Sequence, residues 1–338
     1  MTDSDDPAPD SAADVPDPPA AVRDSAAPSV IGRRVVVRYR LPEGYPQPLT
    51  DVIGELVSVD PVTVRTADGE VVQIAADRVV AWKALGARPI RTKEIRALES
   101  AAADGWPGLQ RGWIDGWQVR GGNGYTHRAN SAVPLGSSGQ PAIASAETLH
   151  AIGEWYAARG LPLQLLLPDR LAPAPPGWRT WNETAVLAVD ISNMVLPQGP
   201  SMARVDPEPS AEWLDTHGRR GEDEPAAPID LEVLTAIRDG ELGFATLGLP
   251  TPIAIGRGAV TTAPDGLRWI GLSCVAVAAA HRRRGLGALL CAELIRWGAT
   301  RGATHAYVQV EVDNEPALAL YRELGFVDHH RYRYAAPQ

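Results

Sequence analysis

Cysteine is nearly absent from this chain of 338 residues. The two that occur, Cys274 and Cys291, form no C-x-x-C pair and stand in no His/Cys cluster. A disulfide framework and a metal site are therefore not expected, and a reducing cytoplasm suits the chain. Long apolar runs are missing too. The longest near the centre, Gly271 to Ala280, is far too short to span a bilayer. No basic segment followed by an apolar one opens the sequence, so neither a signal peptide nor a membrane partner is expected. Phenylalanine and methionine are scarce, with two and three residues, yet the hydrophobic share of 45% suffices for ordinary packed cores. Basic excess is the last absence. The net charge is −9, and residues 1–29 alone hold seven Asp and one Arg. The rest of the chain is then close to about −3. A general nucleic-acid binder would carry a basic face, so direct nucleic-acid binding is not expected.

What is present changes along the chain. Residues 1–29 combine Pro, Ala and Asp with almost no large apolar side chain. Such a segment cannot offset its ordering entropy and reads as disordered. Residues 30–86 hold short β-branched runs, "RRVVVRYR", "DVIGELVSV", "VTVRTADGEVVQI" and "DRVVAW". Asp68-Gly69 marks a hairpin, and the segment reads as a small all-β barrel of SH3-like size. From residue 88 helix and strand mix. "TKEIRALESAAA" and "SAETLHAIGEWYAARG" read as helices, the second with Ser145 as cap and Gly160 at its end. "GWQVR", "GGNG" and "YTHRANSAVPL" read as a hairpin; "PLQLLLP" and "TAVLAVDIS" read as strands. A Pro- and charge-rich stretch over 196–229 reads as a linker and acceptor-side segment. Then the order restarts over 230–338 as helix, three strands, helix, strand, helix. The repeat of element order suggests a tandem α/β (α+β) architecture.

One stretch carries chemistry. The strand "GLSCVAV" runs through "AAA" into "HRRRGLGALL", which opens a helix. A helix N-terminus has unsatisfied N–H groups and the positive end of a dipole. Gly285 and Gly287 would let an anion approach that backbone, and Arg282, Arg283 and Arg284 add charge. Together these read as a pyrophosphate site. A dinucleotide fingerprint fits poorly. Leu290 stands at its third glycine, and Ala278 to Arg284 separate strand from glycine, although Glu311 lies at about the right distance for its acidic residue. No Gly-Lys-Ser/Thr follows for a Walker loop. A solvated arginine run is the remaining alternative.

The spacing Arg282-x-x-Gly285-x-Gly287 after a "VAV" strand resembles the acyl-CoA signature of the GNAT superfamily of N-acetyltransferases. Downstream, "DNEPALALYRELGF" resembles that family's second segment at Asn314, Ala317, Leu320, Tyr321, Gly325 and Phe326. The resemblance implies a GNAT acyl-CoA N-acyltransferase fold, an acetyl-CoA cofactor and an amine acceptor. It implies that Val275 and Val277 pair with the pantetheine arm as an added strand would. It also implies that the amides from Arg282 through Gly285, Leu286 and Gly287 to Ala288 hold the pyrophosphate. Asn314 would cap its helix and face the cofactor channel; a plain N-cap is the alternative. Tyr321 would be the acid that protonates the leaving thiolate; a core tyrosine on the Leu318–Tyr321–Leu324 face is the alternative. Some family members carry a Glu base where Gln309 stands here. Glu311 is the substitute candidate, against an exposed strand-end carboxylate.

The N-terminal barrel and "GWQVRGGNGYTHRANSAVPLG" are similar to actinobacterial GNAT proteins assigned as histone acetyltransferases. That likeness implies a degenerate first GNAT-like half over 88–195, without R-x-x-G-x-G, ahead of the catalytic domain over 230–338. Arg128-Ala-Asn-Ser reads there as a structural polar hairpin, or as a bond across the halves. The acceptor would be a lysine of a histone-like or other basic protein, a small amine or a protein N-terminus. A non-catalytic acyl-CoA-binding module is the competing class. Oligomeric state is left open.

Overall fold

The computed structural model describes residues 31–86, 89–137, 139–197, 203–219, 228–248 and 250–338. The acidic segment at 1–29 lies outside them, as do parts of the 196–229 stretch. Two compact units divide the chain, 1–89 and 90–338.

In the first unit β1 (Arg34–Arg40), β2 (Leu49–Val59), β3 (Val62–Thr66), β4 (Val71–Ile74) and β5 (Val79–Ala84) form one antiparallel sheet in the order β4-β3-β2-β1-β5. Alternation buries Val35 and Val37 of β1 against Val52, Leu56, Val62, Val64 and Ile74. Asp68-Gly69 makes the expected turn, with Gly69 at φ 84° and Thr66 N–H donating to Glu70 O at 2.8 Å. The two edge strands do not pair with each other. The expected barrel is thus an open five-stranded sheet.

The second unit joins both halves in an eight-stranded sheet. Its N-terminal half supplies α1 (Thr92–Gly105), β6 (Gln110–Ile114), β7 (Trp117–Gly121), β8 (Val133–Pro134), α2 (Ala146–Ala157), β9 (Leu165–Pro168) and β10 (Arg179–Asp190). Its C-terminal half supplies β11 (Ala203–Asp206), α3 (Ala211–Gly218), α4 (Leu231–Thr235), β12 (Glu241–Leu247), β13 (Ala254–Thr262), β14 (Arg268–Val277), α5 (Leu286–Thr300), β15 (His305–Glu311), α6 (Glu315–Glu323) and β16 (Val327–Ala336). The sheet order is β11-β12-β13-β14-β15-β10-β16-β9. Each half ends on the other's last strand. β10 lies antiparallel to β15, and β16 lies antiparallel to β9, with β10 and β16 paired to each other between them. A parallel bridge from Ala132 to Leu165 continues the series into the small β6-β7-β8 sheet. The tandem is therefore real as topology, and neither half is a sheet of its own.

Three local readings change. The hairpin is not folded at "GGNG". It turns at Asp115-Gly116, both at positive φ, which pairs β6 with β7. Residues 128–130 form a 3₁₀ turn instead of a strand. The 196–229 stretch, read as linker, contains β11 and the Ser210-capped α3.

Helices pack on both faces. α5 and α6 cover one face through Leu290, Leu294, Ile295, Leu318 and Tyr321. α1 covers the other with an alanine-rich surface that lets it approach closely: Thr261 of β13 donates to the Ala101 carbonyl at 2.9 Å. Arg257 of β13 ties three elements. It donates to Gly105 O at 2.9 Å, Leu234 O at 3.0 Å and Ala236 O at 3.1 Å. The first two carbonyls belong to the C-terminal turns of α1 and α4, where a cation meets the negative end of a helix dipole. Burial lowers the Arg257 pKa to about 10, so it stays charged at neutral pH. Replacing Arg257 by Met leaves three buried carbonyls without donors. The variant should lose about 2–4 kcal/mol of stability in urea unfolding.

Candidate active site

A bulge in β14 builds the site. β14 runs parallel to β15 only from Trp269 to Leu272, opposite His305 to Val308. On its other edge it stays paired with β13. There Ser273 faces Arg257 and Ala276 faces Ile255, so Cys274 and Val275 together stand opposite Gly256. Cys274 takes φ 53°, the left-handed region that marks such an extra residue. Beyond the bulge β14 departs from β15 and leaves one strand edge open. Ala278 N–H donates to Ile253 O on β13 at 2.9 Å. Two-residue alternation then points the N–H and C=O of Val277 and Val275 toward the open edge. These are the atoms that the motif resemblance assigns to a pantetheine arm. Arg282 Nε already donates to Val277 O at 3.1 Å, so one of these carbonyls engages the loop's own arginine.

The loop after β14 ends at the first turn of α5. Arg283 and Gly285 take φ 61° and 73°, which wraps the backbone around the helix start. Gly285 is the N-cap and offers no side chain to the first-turn amides. Leu286, Gly287 and Ala288 lack intrahelical acceptors by position. Helices α2, α3, α4 and α6 are capped by Ser145, Ser210, Asp230 and Asn314. At Gly287 an added Cβ would come within 3.3 Å of Leu320 and 3.8 Å of Val277. The glycine brings α5, α6 and the end of β14 together at one point. Arg282, Arg283 and Arg284 are exposed around this helix end.

The first half shows why it would not hold the same group. α2 occupies the place of α5 between β8 and β9. Its N-terminus is closed, because Ser145 Oγ accepts from Thr148 N at 3.1 Å. No arginine–glycine loop precedes it.

Tyr321 is 6% exposed and packs edge-on against Phe326 at 5.6 Å. Its hydroxyl donates to the Cys291 thiol, and Cys274 of the bulge lies within electrostatic range. Burial, with both cysteines, pushes the Tyr321 pKa well above that of an ordinary tyrosine. Burial likewise pushes the Cys291 thiol up to about 12. Both groups hold their protons at neutral pH. Tyr321 is thus a core tyrosine whose phenol lies within electrostatic range of the bulge.

Asn314 acts as the plain cap, with Oδ1 accepting from Ala317 N at 3.2 Å. Glu311 stands exposed at the end of β15, opposite Thr184 of β10, and its carbonyl accepts from Asn314 N at 3.0 Å. Gln309 is half-buried. The structure groups Val275, Val277, the 282–288 backbone and Tyr321 at the open edge. Glu311 and Asn314 belong to the junction between β15 and α6.

Sequence reasoning missed a buried arginine centre on the other side of the bulge. Arg120, Arg128 and Arg257 gather near Trp106, whose ring has the Arg257 guanidinium at 4.3 Å and that of Arg128 at 5.8 Å. Arg128 also bonds the Tyr332 hydroxyl across the two halves. Asn130 of the same segment organises its own loop, accepting from Gly122 N at 2.8 Å and Gly124 N at 3.1 Å. No periodic signal marks Arg257, an arginine between glycines in an apolar strand.

A family model described as the C-terminal part of the probable histone acetyltransferase Rv0428c matches residues 92–335. A second, described as the Rv0428c N-terminal Sm-like domain, matches 29–83. The all-β unit, read as SH3-like, thus carries the Sm-like description. The probable histone acetyltransferase Rv0428c of Mycobacterium tuberculosis is 42% identical over 311 residues, covering 91% of this chain and 96% of its own. The uncharacterized N-acetyltransferase YobR of Bacillus subtilis is 25% identical, covering 71% and 98%. Among solved structures, a GCN5-related N-acetyltransferase from Kribbella flavida shares the fold, with a TM-score of 0.53 at 19% identity, over 73% of this chain and 96% of that one. With both parts of the chain matched, an open edge beside a bulged strand, and a glycine-started helix behind an arginine loop, the chain belongs to the Rv0428c family of GNAT N-acetyltransferases.

Proposed function

We propose that the chain transfers an acetyl group from acetyl-CoA to a primary amine. The observation that carries this reading is the uncapped first turn of α5, set behind Arg282-Arg283-Arg284-Gly285 at the end of a strand whose edge is open. A diphosphate fits there because first-turn amides and arginines both favour an anion. The strand edge fits the amide-bearing arm of coenzyme A, as a peptide adds to a sheet.

When bound, acetyl-CoA supplies the thioester whose carbon the amine nitrogen attacks and whose C–S bond breaks. The chain's own groups divide the remaining work. The outward N–H of Val275 donates to the oxygen that gains charge. Tyr321 holds a proton at its hydroxyl and delivers it to the departing sulfur. The amine must lose protons before and during attack. Gln309 cannot take one, and Glu311 is the carboxylate of the same strand that can, through water. The two free thiols suit a reducing cytoplasm. Among the described residues no helix is long and apolar enough to cross a membrane.

Tyr321→Phe should lower kcat about 10²-fold while coenzyme A binding, measured by calorimetry, stays within twofold. Equal kcat in both proteins would remove Tyr321 as the acid. Because its pKa is raised, the wild-type rate should show no alkaline decline below pH 10, the ordinary tyrosine value. Removing charge at Arg283 and Arg284 together should weaken coenzyme A about tenfold and flatten the salt dependence of its affinity.

A further inference from the structure

A helix face that meets protein is normally apolar. The face of α1 toward the β6–β7 hairpin is not. Lys93, Arg96, Ser100 and Asp104 stand three or four residues apart, which sets them in one row along the helix. The hairpin answers with a polar face of its own. Trp113 of β6 and Gln118 of β7 are cross-strand partners, so their side chains leave the hairpin on the same side. Arg111, two residues from Trp113, shares that side. Between the two rows lies a cavity of about 580 Å³. Small-molecule sites occupy roughly 300–1,000 Å³. The cavity is open to solvent: Trp113 is 54% exposed, and Lys93 and Arg238 at its wall are exposed too.

This cavity lies away from the acetyl-transfer centre. The β13–β14 turn at Pro264-Asp265 contributes to its wall, just before β14 begins, whereas the arginine loop follows the end of that strand. Ten residues of strand separate the two, or about 30 Å.

Its polar groups are left unfilled. Among the described residues four cations line it against two carboxylates. Asp104 takes Arg111 at 3.4 Å and Arg238 at 4.0 Å. Asp265 turns to its own loop and accepts from Leu267 N at 3.1 Å. That leaves Lys93 and Arg96. Neither has a carboxylate within ion-pair distance among the described residues, and Arg96 Nε has no acceptor. On the hairpin side Gln118 is 5% exposed, and its Oε1 has no donor. Buried polar groups ordinarily have partners. Here a donor on α1 and an acceptor on β7 both lack one at the walls of a single cavity.

We propose that this cavity is a second ligand site and that its ligand is a nucleoside monophosphate. Lys93 and Arg96 suit the phosphate, which answers unpaired cations with charge-assisted bonds. The exposed indole of Trp113 suits the base, which stacks on it. Gln118, on the same side of the hairpin, suits an N–H on the base edge. A bare phosphate would leave Trp113 and Gln118 without a partner, and a nucleoside would leave the two cations. The inference does not depend on the acetyl-transfer reading.

Calorimetry of the full chain with AMP, GMP, CMP and UMP tests it, beside the matching nucleosides and inorganic phosphate. At least one nucleotide should bind about tenfold or more tightly than both its nucleoside and phosphate. Trp113→Ala and Lys93→Gln change exposed side chains, so both should keep the wild-type Tm while weakening that nucleotide about tenfold. Arg96→Gln should weaken it by a similar factor. Removing charge at Arg283 and Arg284 should leave the affinity unchanged, because those side chains lie beyond the other end of β14. No binding of any nucleotide at millimolar concentration overturns the assignment. So does equal affinity for phosphate or nucleoside alone, affinity that survives Trp113→Ala, or affinity lost with Arg283 and Arg284.

Discussion

One extra residue in β14 governs this enzyme. The strand can pair with β15 for four residues, and then Cys274 takes a left-handed backbone that no regular ladder accommodates. The bulge keeps the β13 edge paired while the β15 edge comes free. It also divides the side chains. Val275 and Val277 go to the α5 face, and Cys274 and Ala276 go to the face of Trp106. The two faces of one strand therefore pack against different clusters. Tyr321 reaches the bulge from α6, and Arg257 and Arg128 reach it from the opposite side.

The exchange of last strands holds that arrangement in place. β10 and β16 pair with each other, and each also lies beside a further strand of the other half. Neither half can leave without breaking three ladders. The first half keeps the strand–helix–strand scheme but closes the start of α2 with Ser145. The second half leaves the start of α5 to glycine. A single capping choice thus separates a helix end that satisfies itself from one that can receive phosphate.

Much of this was legible in residue order. The Arg282–Gly287 spacing, the strand before it and the "NEPALALYRELGF" segment led to the GNAT family. The Asp-Gly turns at 68–69 and 265–266 follow local sterics, and both glycines take positive φ. The same rule was available at Asp115-Gly116, where the competing glycines of "GGNG" drew the turn to the wrong place. β11 and α3 were hidden by Pro and charge. Trp213 is fully buried there, with Nε1 bonded to Ala245 O at 3.1 Å, and one tryptophan leaves little period to read. β16 carries His, Arg and Tyr in alternation and escaped notice, since both its neighbours come from other parts of the chain.

The sequence by itself determined the elements, the anion-ready helix start and the two free thiols, because capping, turn chemistry and period act within a few residues. Tertiary structure decided the rest. Only packing could show that Tyr321 is at once a core residue and a protonated group at the bulge. Only packing could bring Arg128 from one half and Arg257 from the other to the same tryptophan. Burial, and the lack of a carboxylate partner for these arginines among the described residues, depend on neighbours distant in sequence, which no local pattern records.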